Sequence, residues 1–480
     1  MTFPMNTLPS EELALFSQEL QRLLSPIVLQ DIAKQVSFVQ RSSKYQANEL
    51  MALCVWLSQE VAHASLTQLC SQLEASTGVL MSPEGLNQRF NPAAVAFLRE
   101  VFTSLLTQKL CATQSLASHM ISIFNRIRIL DATVFQLPDS FAIDYQGSGG
   151  CSNTAGVKIQ LEYDLLSGQF LNVQLGPGKN HDKTYGTDCL ESLEPGDLFL
   201  RDLGYFDLRD LQTIHEKEAY YISRLKLNTR IYIKNPEPAY FKNGTMKKQT
   251  EYSQLDMAQI MKELNPGETI EILEAYIGHI QKLPTRVIIH RLTDDQTETR
   301  LKNQIVREKK KGIIMKEKSK QLMGINVYIT NTPSKEVPTQ YVHPLYSLRW
   351  QIEILFKTWK SFFEIDECKI IKKERLECHL YGQLIGILLC SSTMFQMRQL
   401  LLEKKKKELS EYKAIYMIKD YFPLLFRAIT DNPNELTAIL HRLYQLLKQN
   451  GRKCHRYKKK TVFDILGIVY ETTVKHKQVA

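Results

Sequence analysis

RIRILDATVFQL, residues 126–137, decides the fold: the run alternates and is rich in β-branched residues, which predicts a strand. Residues two apart in a strand share a face, so Asp131 falls on the same alternation as Ile127 and Ile129. A carboxylate there is costly unless it is paired or bound to a metal ion. Downstream, GVKIQLEYDLLSGQFLNVQL (156–175) reads as two more strands joined by a tight turn at Ser167–Gly168. PGDLFLRDLGYF (195–206) supplies a turn at Pro195–Gly196 and a fourth strand that runs into Asp202, just before Gly204. FDLRDLQTIHEKE (206–218) has helical spacing, and AYYISRLK (219–226) reads as a fifth strand. A three-strand meander followed by alternating helix and strand predicts an α/β layout.

Upstream of Ile121 the apolar residues recur three and four apart, as in ELALFSQELQRLL and NELMALCVWLSQEVA, and predict helices. SLTQLCSQLEA, a turn holding Gly78, and SPEGLNQRF resemble a helix-turn-helix, with Ser82 as N-cap and Pro83 at the first helical position. Such a motif would present Asn87, Gln88 and Arg89 to DNA, and the same pattern also fits a small hairpin in an all-helical core. Between about Leu227 and Gly324 lie short β-type runs (RIYIKN, GETIEILEAYI, TRVIIHRL) and a basic stretch from Arg307 to Lys320. INVYITNTP reads as one more strand before Pro333, and the chain from about Val342 onward is helical.

The 480 residues carry a formal charge of +10. From Leu401 to Ala480 there are 17 Lys and Arg against 8 Asp and Glu, so the C-terminal stretch holds nearly all of the excess. Basic runs of this kind attract polyanions, with nucleic acid the usual partner, although a solvated face reads the same way. Nine scattered cysteines, none in CxxC spacing, argue against a zinc site or a disulfide framework and for a reducing cytoplasm. The acidic N-terminal stretch does not fit a signal peptide. LIGILLC (384–390) falls far short of the roughly 18 residues a membrane span needs and predicts a buried helix.

YSLRWQIEILFKTWKSFF (346–363) is the chemically pointed segment. On one ideal helix, at about 100° per residue, Tyr346, Arg349, Glu353 and Lys360 share an arc of roughly 60°. Ile352, Leu355, Trp359 and Phe362 fall on the neighbouring face and are expected in the core. A solvated stripe is the ordinary reading of such charges. An aromatic ring in the stripe, and donors on both sides of one carboxylate, point instead to a carboxylate on a metal and cations on a nearby phosphate.

DATVFQLPD, RDLGYF and this last segment resemble the three acidic motifs of DDE transposases. The third fits the Tyr-x2-Arg-x3-Glu-x6-Lys signature of the insertion-sequence-4 family at every signature position, and GLNQRF and RSSKY are also similar to that family. The resemblance covers roughly Arg126 to Ile385. It implies an RNase H-like α/β core with an inserted β-rich domain and helical flanks. The implied divisions are a helical DNA-binding region over 1–120, core over 121–226 and 325–400, insertion over 227–324, and a basic helical region over 401–480.

The resemblance further implies that Asp131, Asp202 and Glu353 are the catalytic, metal-binding carboxylates. They would hold two Mg²⁺ ions, or Mn²⁺, for in-line attack on phosphodiesters. Tyr346, Arg349 and Lys360 would bind DNA through terminal phosphates. Implied partners are double-stranded DNA, as terminal inverted repeats and target, and a second copy in a homodimeric synaptic complex. No membrane is expected, and the place of action would be the bacterial cytoplasm at the nucleoid. A catalytically inactive or domesticated DNA-binding derivative, and an RNase H-like nuclease without strand transfer, are the other readings. The family's base-stacking Trp has no counterpart between 227 and 324; Tyr328 in INVYITN, just beyond, stands near its expected place and also reads as an ordinary strand residue. His181–Asp182 also resembles a family feature without an assigned role.

Overall fold

The computed structural model describes residues 11–41, 45–57, 60–108, 122–149, 154–226, 229–312, 314, 320, 322–453 and 460–468. The chain divides into a strand-rich unit (118–131 and 181–350) and a helical unit (1–117, 132–180 and 351–480). The strands are β1 (Arg126–Gln136), β2 (Gly156–Asp164), β3 (Phe170–Pro177), β4 (Asp197–Arg201), β5 (Tyr220–Arg224), β6 (Ile231–Lys234), β7 (Tyr252–Gln254), β8 (Thr269–Ile277), β9 (Leu283–Arg291) and β10 (Ile325–Thr330). β1 contributes to both units, since the division falls between Asp131 and Ala132.

In the strand-rich unit the order is β1-β4-β5-β10-β9-β8-β6-β7. β1, β4 and β5 are parallel, whereas β10 and the strands beyond it pair antiparallel. Parallel neighbours need a crossover, and the helix Leu208–Glu216 supplies it between β4 and β5. Its Leu211 and Ile214 pack on Phe199, Tyr221, Val287 and Ile329, which lie on one face of the sheet. The β-type runs read between Leu227 and Gly324 form β6, β8 and β9, joined edge to edge with β10. At the start of the sheet Arg126 and Arg128 both reach the buried Asp197, at 2.6 and 3.1 Å. This pins the β1–β4 register from Arg126↔Asp197 to Leu130↔Arg201. That register positions the site.

The helical unit contains the antiparallel hairpin β2–β3 and the sheet order β3-β2-β1. Its helices begin where the residues favour them. Ser82 Oγ accepts from the Gly85 N–H at 3.1 Å with Pro83 at the first position, and Gly78 ends the preceding helix at φ +69°. The helix-turn-helix residues are therefore formed as expected, Leu66–Thr77 followed by Pro83–Arg89. Gln88 is exposed, the Asn87 carbonyl accepts from Lys372, and Arg89 lies over the Tyr45 ring. The helix Lys373–Lys405 contains LIGILLC. By length and composition it could cross a bilayer, yet 89% of its apolar window is buried within the chain.

The β2–β3 turn docks on that helix. Gly168 sits at φ +75°, and a Cβ placed there would lie 2.0 Å from the Phe395 ring. Gly168→Ala is expected to cost about 2–4 kcal/mol, from the left-handed backbone and from overpacking together. A denaturant midpoint equal to that of the wild type would show that neither constraint operates here.

Of the nine cysteines, Cys54, Cys70, Cys189, Cys368, Cys378 and Cys390 are free thiols, and Cys111, Cys151 and Cys454 lie outside the described residues. Parts of RSSKY, of Arg307–Lys320 and of GRKCHRYKKK also lie outside them.

Candidate active site

Asp131 and Asp202 follow directly from the β1–β4 register. Leu130 and Arg201 are the last residues of the parallel β1–β4 ladder, so Asp131, midway along β1, and Asp202, just past the end of β4, are the next residues beyond it. Neighbouring strands stand roughly 4.8 Å apart, which sets the two carboxylates side by side. The carboxyl ends of parallel strands are where α/β sheets place their ligands. Both residues are half-buried. Asp202 leaves β4 in extended conformation and opens the 3-10 turn Leu203–Tyr205, its carbonyl accepting from the Tyr205 N–H at 3.0 Å.

Arg349 reaches this corner within the strand-rich unit. Its Nη1 lies 2.8 Å from Asp131 Oδ2, with side-chain exposures of 7% for the arginine and 21% for the aspartate. An ion pair so placed is little screened by water. Tyr346 is buried, packs edge-on against Tyr328 with centroids 5.5 Å apart, and directs its hydroxyl to the Arg201 carbonyl at 3.5 Å. Burial pushes its phenol up to about 12; Arg349 lowers it and Asp202 adds to the rise.

A third carboxylate enters the same corner. Asp182 begins the helix Asp182–Asp188, and a Cβ on Gly204 would lie 3.4 Å from its Oδ2. The buried Tyr205 phenol is raised by burial, with Asp182 and Asp131 adding to it. The chain signalled this residue only as the His181–Asp182 dipeptide. Its place beside Tyr205 follows from the 3-10 turn after β4, which spacing along the chain does not reveal.

The stripe expected on a single helix needs correction. The segment is an α-helix Thr339–Ser347, a 3-10 turn Leu348–Trp350 and a second α-helix Gln351–Ser361. Pro344 inside the first helix supplies no N–H and crowds the preceding turn, which weakens the helix near its end. The 3-10 turn interrupts the α-helical spacing, so the four residues are not carried by one ideal helix. Tyr346 precedes the break and Arg349 lies within it, and both are buried in the strand-rich unit. Glu353 and Lys360 lie beyond it, in the helical unit.

In that unit Glu353 is exposed in the first turn of its helix, and Lys360 Nζ donates to the Val134 carbonyl at 3.2 Å. The lysine therefore lies along the second half of β1. Ile352, Leu355 and Trp359 are buried as expected. Phe362 is only half-buried, packing 4.6 Å from Tyr412, and Phe363 takes the core place instead.

Among the described residues no group of three His, Cys, Asp or Glu side chains is gathered for one metal ion. The carboxylates of Asp131 and Asp202, just beyond the β1–β4 ladder, are nonetheless hard oxygen donors of the kind that Mg²⁺ takes, with waters and substrate phosphates completing the shell.

A family model described as a transposase DDE domain matches residues 123–389. The chain is 59% identical to the transposase for insertion sequence element IS231C of Bacillus thuringiensis subsp. berliner, over 99% of each chain. It is 36% identical to the transposase for insertion sequence element IS1151 of Clostridium perfringens, over 91% of this chain and 93% of that one. A solved piggyBac transposase synaptic complex with hairpin DNA aligns over 99% of this chain and 92% of that one, at TM-score 0.46 and 10% identity.

Proposed function

The chain belongs to the DDE-domain transposases of insertion sequences, metal-dependent enzymes that cut DNA, and on that premise we propose that Asp131, Asp202 and Glu353 are its catalytic carboxylates. The observation that carries this reading is the place of Asp131 and Asp202 immediately beyond the last paired residues of the parallel β1–β4 ladder. Within the family, the spacing of Tyr346, Arg349, Glu353 and Lys360 supports membership of the insertion-sequence-4 group. Its core is RNase H-like, β1, β4 and β5 being the parallel strands, and residues 227–324 form the insertion.

The three carboxylates would hold two divalent ions, Mg²⁺ or Mn²⁺. Bound there, such ions lower the pKa of an attacking water and offset charge on the phosphodiester. Asp131 and Asp202 supply oxygens from a rigid sheet, and Glu353 supplies a third from an anchored helix. Arg349 neutralises Asp131 in the DNA-free chain and is shaped to clamp a terminal phosphate bidentately, while Lys360 adds a point charge beside β1. Tyr346, buried near Arg349, orients the arginine end of this grip. The DNA substrates are the terminal inverted repeats and the target, joined by cut-and-paste strand transfer in a homodimeric synaptic complex, in the cytoplasm at the nucleoid.

The test is metal binding and cleavage in Asp131→Asn and Asp202→Asn. Calorimetry with Mn²⁺ should lose most of the heat seen with wild type, and cleavage of a duplex bearing the element's ends should fall by about 10²-fold or more, since each metal ligand supports several kcal/mol of transition-state stabilisation. Unaltered Mn²⁺ binding in both variants would overturn the assignment.

A further inference from the structure

Between Ala239 and Thr250 the strand-rich unit projects a hairpin that carries two aromatic rings and three lysines. The Phe241 N–H donates to the Thr245 carbonyl at 2.8 Å, the Gly244 N–H to the Phe241 carbonyl at 3.0 Å, and the Lys247 N–H to the Ala239 carbonyl at 2.8 Å. Tyr240 and Met246 form the bridge below the turn. Gly244 stands at φ +83°, the left-handed position that closes a three-residue hairpin loop after a type I turn. Asn243 Oδ1 accepts from the Thr245 N–H at 3.1 Å, and at the base Thr250 Oγ1 accepts from the Ala239 N–H at 2.9 Å. The tip is thus ordered by its own hydrogen bonds.

Its rings join no core. Tyr240 is 58% exposed and Phe241 55%, while the Lys247 ammonium lies 5.3 Å from the Phe241 centroid. Lys242, Lys247 and Lys248 are exposed as well, and no Asp or Glu occurs from Ala239 to Thr250. Single exposed aromatics are common on surfaces. Two adjacent ones on a preorganised ribbon with three uncompensated cations make a different surface, one complementary to stacked bases flanked by phosphates.

We infer that this hairpin is a DNA-contacting element, inserted in a groove of duplex DNA with Lys242, Lys247 and Lys248 on phosphates and Tyr240 and Phe241 against the bases. The major groove admits a two-stranded β-ribbon. Lysines there release counterions and supply sequence-independent affinity. Aromatic rings gain against base faces or wedged into base steps. The contact rests on the chain's action on DNA and is separate from the carboxylate corner, so the two can fail independently.

The full-length chain is measured by fluorescence anisotropy against a labelled mixed-sequence duplex and the corresponding single strand. Tyr240→Ala with Phe241→Ala is expected to weaken duplex binding roughly 5- to 100-fold. Lys242→Ala, Lys247→Ala and Lys248→Ala together are expected to reduce the slope of log affinity against log salt by about 2 to 3. All five side chains are exposed, so circular dichroism should match the wild type. Unchanged duplex affinity and slope in both variants would overturn the inference, as would a loss confined to the single strand. Intact DNA binding with altered self-association in light scattering would make the hairpin a protein contact instead. A wild-type chain that binds neither probe would sink the DNA reading and this contact with it.

Discussion

Glu353→Gln is expected to reduce cleavage of end-bearing DNA by about 10³-fold or more in Mg²⁺, with DNA binding within about twofold of wild type. The size follows from the role proposed for it: an amide keeps the shape of the side chain but loses the charge that a hard divalent ion requires. Retained binding follows from the local structure. The helix Gln351–Ser361 is held by the buried Ile352, Leu355 and Trp359, while Glu353 points outward from its first turn. Removing a carboxylate from a helix N-terminus costs roughly 0.3–1 kcal/mol through the helix dipole, too little to unfold the chain. Cleavage assays and anisotropy on the same preparation separate the two effects. Equal cleavage by the variant and the wild type would remove Glu353 from the chemistry.

Arg398→Ala is expected to destabilise the helical unit by about 3–5 kcal/mol, because it strips one partner from a buried ion pair. Arg398 is 3% exposed in the middle of Lys373–Lys405. Its Nη1 lies 3.3 Å from Glu411 Oε1, its Nη2 donates to the Leu165 carbonyl at 3.1 Å, and its guanidinium covers the Phe395 ring at 4.3 Å. One side chain thus ties the long helix to the next helix and to the β2–β3 turn. Arg398→Lys should rescue little, since one ammonium cannot reproduce the planar fork. Arg398→Met with Glu411→Leu should recover most of the loss, because no charge is then left buried alone. Urea denaturation of the three variants checks this, and a cost below about 1 kcal/mol for Arg398→Ala would show that the pair is not structural.

The local elements were legible because their signals are local. The alternation around Ile127 and Ile129, the Ser167–Gly168 turn and the Ser82–Pro83 helix start each need only a few neighbouring residues, and each is present. β7 was not anticipated, since three residues are too short to show alternation. The break at Leu348–Trp350 was hidden for another reason. Leu, Arg and Trp are tolerable in helices, and Pro344, four residues earlier, was the sole warning. The ion pair of Arg349 with Asp131 joins residues 218 positions apart, and Asp182 meets Tyr205 through a turn. Neither leaves a trace in spacing. The candidate site was therefore readable as residue types at intervals, while the partners that Arg349 and Asp182 take were not.

The helical unit is assembled from three stretches, and the last begins only at Gln351. Its central helix, Lys373–Lys405, buries nearly every apolar side chain it has against the others. During synthesis, then, the amino-terminal helices emerge long before the segment that covers them, and they must wait for the final quarter of the chain. A copy of the gene with a stop codon ahead of Lys373 should yield no folded helical unit, only a product cleared by proteases. Premature termination in this lineage is expected to silence an element outright and not to leave behind a short DNA-bound repressor.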